Sequence, residues 1–87
     1  MTSLSFCNWD GRPAVLASPA PGVFVAVAKL DPGSDWTEVD ALDVRETAAV
    51  RASAEELEAG FERSFGPLDV PSALNLIASK SLPAAAE

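Results

Sequence analysis

The chain has 87 residues, 48% of them hydrophobic and 22% charged, with a net charge of −7 at pH 7. That length allows one small domain, and the composition is too apolar for intrinsic disorder. A single cysteine and the absence of histidine exclude an internal disulfide, the zinc-ligand motifs and the usual imidazole base.

The opening MTSLSFCNWDG has neither the basic start nor the apolar run of a secretion signal, and no window approaches about 18 apolar residues, so a cytoplasmic chain with no membrane span is expected. Residues 3–9 (SLSFCNW) alternate Leu4 and Phe6 against Ser3, Ser5, Cys7 and Trp9, which predicts a strand with Cys7 as a small buried hydrophobe. Asp10 and Gly11 both tolerate positive φ and supply a two-residue hairpin turn. The returning strand spans 13–18; Pro13 cannot donate to a ladder, which places it in an edge strand or at the strand's first residue. PAPG at 19–22 is a turn.

Residues 23–30 (VFVAVAKL) are the most β-like stretch. Val23, Val25 and Val27 line one face, and Phe24, Ala26, Ala28 and Leu30 line the other. A strand apolar on both sides belongs in a sheet covered on both faces, or covered once by its own helices and once by a partner. The small Ala26 and Ala28 would let a helix approach closely.

DPGS at 31–34 leads into the acidic stretch SDWTEVDALD, residues 34–43. Its periodicity is divided: Val39, Ala41 and Asp43 alternate as in a strand, whereas Trp36, Val39 and Leu42 recur at three. The β-branched and aromatic content favours an extended segment over 36–44, while Ser34 keeps a helical turn open. SAEELEAGFERSFGP is clearer. Ser53 and Glu56 form a capping box, Leu57, Phe61 and Phe65 recur at four, and Gly66 with Pro67 stops a helix over 54–65 whose outer side carries Glu55, Glu58 and Glu62. Gly60 inside it suggests a close contact against the sheet.

A second helix is predicted over 70–81, with Asp69 as its cap, Pro71 in its first turn, Val70, Leu74, Ile77, Ala78 and Leu82 on one face, and Lys80 complementing the dipole at its end. Residues 83–87 read as a frayed tail. The order of elements predicts one α+β domain over 1–87: a small antiparallel sheet of three to four strands, covered on one face by the two C-terminal helices.

No chemistry of a known pattern is expected. Acid–base work by Asp35, Glu38, Asp40 or Asp43 would need burial and a substrate pocket, for which one small core leaves little room. An EF-hand loop from Asp31 would require glycine at its sixth position and glutamate at its twelfth, where Trp36 and Leu42 stand. Ser–Lys catalysis at SKS (79–81) would need a desolvated lysine, and the scattered glycines build no phosphate loop. No catalytic residue, metal or cofactor is therefore assigned.

Charge carries the functional expectation. Between residues 31 and 62 lie ten acids (Asp31, Asp35, Glu38, Asp40, Asp43, Glu46, Glu55, Glu56, Glu58, Glu62) and two bases (Arg45, Arg51), a net −8 in 32 residues. Such a field opposes direct binding of nucleic acid or an anionic membrane and steers association with a basic protein. The partner-binding set read from this is Asp35, Trp36, Glu38, Asp40, Asp43, Glu46, Glu55, Glu58 and Glu62, with Trp36 either an interface anchor or a core plug. The expected role is a non-enzymatic inhibitor or adaptor of a basic, nucleic-acid-binding protein. In size and charge alone the chain resembles phage or mobile-element antagonists of the anti-CRISPR type. The alternative is a homodimeric accessory subunit joined through an uncovered Val23, Val25 and Val27 face, with the acids serving solubility.

Overall fold

The computed structural model describes residues 3–51 and 53–81. Strands β1 (Ser3–Trp9) and β2 (Arg12–Ala20) form the expected hairpin about Asp10 (φ 52) and Gly11 (φ 81), and the Gly11 N–H donates to Asn8 Oδ1 at 3.0 Å. Both turn residues are left-handed, the conformation that asparagine, aspartate and glycine reach at least cost. The chain returns at Pro21 and Gly22 into β3 (Val23–Ala28), after an irregularity in register between Ala17 and Ala20.

Two short strands complete an all-antiparallel, five-stranded sheet. β4 (Thr37–Val39) pairs with β3, β5 (Ala49–Arg51) pairs with β1, and the order is β4-β3-β2-β1-β5. β2 is thus the central strand and not an edge. Its proline is tolerated because it is the second residue of the strand, where its carbonyl still accepts from the Lys29 N–H at 3.1 Å.

The stretch read as extended over 36–44 divides at Asp40. Residues 37–39 are strand, and helix α1 (Ala41–Thr47) follows, with Asp40 as its N-cap: the Asp40 carboxylate accepts from the Leu42 N–H at 3.0 Å. Ala41, Val44 and Ala48 point at the sheet, a spacing of three and four that the flanking β-branched residues masked.

Helix α2 (Ala54–Phe65) begins at the predicted cap, where Ser53 Oγ accepts from the Glu56 N–H at 3.2 Å, and ends at Gly66 (φ 72). Leu57 and Phe61 are buried, and Phe65 meets Phe61 edge to face at 5.5 Å. Gly60 is exposed, and a Cβ placed on it would have nothing within 4 Å, so the expected close contact with the sheet is absent.

Helix α3 (Val70–Ser81) buries Val70, Ala73 and Ile77, with Leu74 partly buried; Ala78, expected on the inner face, is exposed, since 73 and 77 rather than 74 and 78 centre the stripe. Asp69 caps indirectly. Its carboxylate accepts from Ser72 Oγ at 2.6 Å, while its carbonyl accepts from the Ser72 N–H. Leu82 and the tail 83–87 lie outside the described residues.

The molecule is three layers rather than the expected two. On one face of the sheet α2 and α3 bury Val15, Ala17, Val25 and Val27 together with Trp36 and Leu68. On the other, Val44 of α1 packs on Cys7, Ala14, Ala26 and Ala28. The alanine floor gives the short helix the close approach foreseen from Ala26 and Ala28.

Candidate functional site

The ten acids of residues 31–62 do not form one surface. α1 and α2 lie on opposite faces of the sheet, so Asp40, Asp43 and Glu46 are separated from Glu55, Glu58 and Glu62 by the sheet itself. Several of the acids have local work. Asp40 caps α1, and Asp43 Oδ2 accepts from Trp9 Nε1 at 3.0 Å, beside Thr47 Oγ1 at 3.1 Å. Glu38 Oε1 sits 3.5 Å from Lys80 Nζ and ties the edge strand β4 to the end of α3. Asp35 and Glu46 are exposed and make no ion pair among the described residues.

Trp36 is not at the surface. It is 8% exposed within the core under α2 and α3, and its Nε1 donates to the Leu68 carbonyl at 2.7 Å. The core-plug reading replaces the interface-anchor one. Its position in an acidic stretch was misleading because the flanking Asp35, Thr37 and Glu38 are exposed while the indole turns inward.

The arrangement that does gather charge is on α2. Glu55, Glu58 and Glu62, with Ala59 between them, face Gly66, Pro67, Leu68 and Asp69 across an open groove of about 400 Å³. Gly66, in a conformation that favours glycine, turns the chain back along the helix flank, and the bond from Trp36 to the Leu68 carbonyl fixes that returning segment. Glu55 lies in the first turn, where the helix dipole favours a carboxylate. Glu58 is three residues from Glu55 and four from Glu62, and like charges at those spacings cost a helix about 0.2–0.5 kcal/mol per pair. None of these three glutamates is in an ion pair among the described residues.

Asp69 joins them, which its reading as a helix cap had hidden; a loop residue brought back by a glycine turn leaves no periodic signal. Among the described residues no group of three or more acidic or sulfur side chains is placed to hold a metal ion. The groove offers four carboxylates at an aqueous surface, a complement to guanidinium or ammonium groups.

The valine face is closed. Val25 and Val27 lie under α2 and α3, and of the three valines only Val23 is exposed, at 48%. The expectation of an uncovered face is corrected: the helices cover the valine side, and the alanine side is left to α1. Cys7 is buried in the alanine layer, and burial raises its thiol pKa above the ordinary value. Among the described residues no helix is long and apolar enough to cross a membrane. No family model, curated protein or solved structure matches the chain.

Proposed function

We propose that the chain is a non-enzymatic protein-binding module that captures a basic protein, as an inhibitor or adaptor, through the acidic groove of α2. The supporting observation is the gathering of Glu55, Glu58, Glu62 and Asp69 around one groove, the three glutamates without ion pairs among the described residues. Carboxylates so placed steer a basic surface in and fix its register through charge-assisted hydrogen bonds. A protein whose ordinary ligand is nucleic acid presents the matching arginines and lysines, and occupying that surface is how a small acidic antagonist would act. The site is thus narrower than the whole acidic stretch. Asp40, Asp43 and Glu38 serve the fold first, and Trp36 contributes from beneath by holding the groove wall.

Affinity capture from native cytosol, with mass spectrometry of the eluates, tests the proposal. The bait is compared with a triple variant, E55Q/E58Q/E62Q, and with a control, D35N/E46Q, that removes charge elsewhere. A basic protein held at low salt, released at high salt, lost by the triple variant and kept by the control is the expected outcome. Retention by the triple variant, or equal loss in the control, overturns it. Self-association through Val23, Val25 and Val27 forms no part of the proposal, because the chain's own helices cover Val25 and Val27.

A further inference from the structure

On the α1 side of the sheet, a cleft of about 650 Å³ lies between the β2–β3 turn and α1, lined by Gly22, Phe24, Ala41, Leu42 and Arg45. The cleft is open to solvent, so a small ligand would lie against its wall rather than be enclosed. Phe24 is partly buried, and Leu42 leaves 55% of its surface exposed, a large apolar area for a residue of so polar a helix. The Arg45 guanidinium lies 4.0 Å from the Phe24 ring centroid.

Arg45 stands among ten carboxylates in sequence, yet among the described residues it makes no ion pair and no side-chain hydrogen bond. With its carbon over the Phe24 ring and no acceptor for its N–H groups among the described residues, the guanidinium is the fork that can receive a carboxylate with two parallel hydrogen bonds. Apolar walls beside an unpaired cation suit a ligand with an apolar body and one negative end. The chain's net charge of −7 disfavours ligands of higher charge, which selects a monoanion over a phosphate ester.

We propose that this cleft binds a small monocarboxylic acid with an apolar body, its carboxylate on Arg45 and its body against Phe24 and Leu42. The site lies on the opposite face of the sheet from the α2 groove and stands independently of the function proposed there.

The test is an amide NMR titration of the intact chain with phenylacetate and with 4-methylpentanoate, and with the corresponding primary amides as uncharged probes. Expected are saturable shifts centred on Gly22, Phe24, Ala41, Leu42 and Arg45 for the acids and none for the amides. Arg45→Gln should weaken the acids by about tenfold or more, the usual weight of a charged hydrogen-bonding partner. Leu42→Asp, at an exposed position that the fold does not need, should abolish binding with the rest of the spectrum preserved. The proposal is overturned if the acids do not saturate, if the amides bind as well, or if either variant keeps wild-type affinity. An acetylated peptide ending in a free phenylalanine carboxylate that binds more than about tenfold tighter than phenylacetate would also overturn it, by giving the cleft to a chain end.

Discussion

Trp36 acts twice from one buried position: its ring fills the layer under α2 and α3, and its Nε1 holds the Leu68 carbonyl at the groove wall. Replacing it with phenylalanine removes volume and leaves a carbonyl without its donor, so Trp36→Phe should cost about 2–4 kcal/mol in denaturant unfolding. Gly60 is the converse case. It is helical, exposed and unopposed, so Gly60→Ala should stabilise by about 0.5–1 kcal/mol and raise Tm by about 3–6 °C in a thermal melt. Cys7 gives the alkaline limb. Its folded pKa lies above the ordinary 9.0 because burial disfavours the thiolate, so the neutral thiol's contribution is complete below that pH and is lost as pH rises through the folded value. Denaturant midpoints across alkaline pH should fall more steeply for the native chain than for Cys7→Ala.

Helix α1 rests on few contacts: the Asp40 cap, one buried side chain at Val44, the stacking of Arg45 on Phe24, and the two bonds that Trp9 donates to Asp43 and Thr47. Asp40→Ala should cost about 1 kcal/mol, concentrated locally. Amide hydrogen exchange would then quicken over residues 42–48 and stay nearly unchanged in α2 and α3. These elements also mark how much was legible beforehand. The β1–β2 hairpin, the double-faced β3 and both C-terminal helices carry strong local signals: Asp10–Gly11, the alternation from Val23, the Ser53 box and the spacing of Leu57, Phe61 and Phe65. Residues 36–51 do not, because three strand residues and a seven-residue helix are each too short for a period to emerge, and Val50 is the lone β-branched residue of β5. The groove was half legible. Its glutamates follow from the outer face of α2, but Asp69 enters through a loop whose path is set by Gly66 and by a hydrogen bond 32 residues distant in sequence.

Across the whole molecule, the sheet turns one linear run of acids into two separate patches. The patch on α1 is largely occupied in capping and in bonding Trp9, whereas that on α2 leaves Glu55, Glu58 and Glu62 without ion pairs among the described residues. Net charge alone would attract any basic protein weakly and everywhere. A groove predicts a place. The most direct measurement is an amide NMR titration of the intact chain with a short arginine-rich peptide, comparing shifts on the two faces. Saturable changes are expected centred on Glu55, Glu58, Ala59, Glu62, Gly66 and Asp69, with Asp40, Asp43 and Glu46 little affected and the response lost in E55Q/E58Q/E62Q. Shifts spread over both faces in proportion to exposed carboxylate, unaltered by the triple variant, would contradict it.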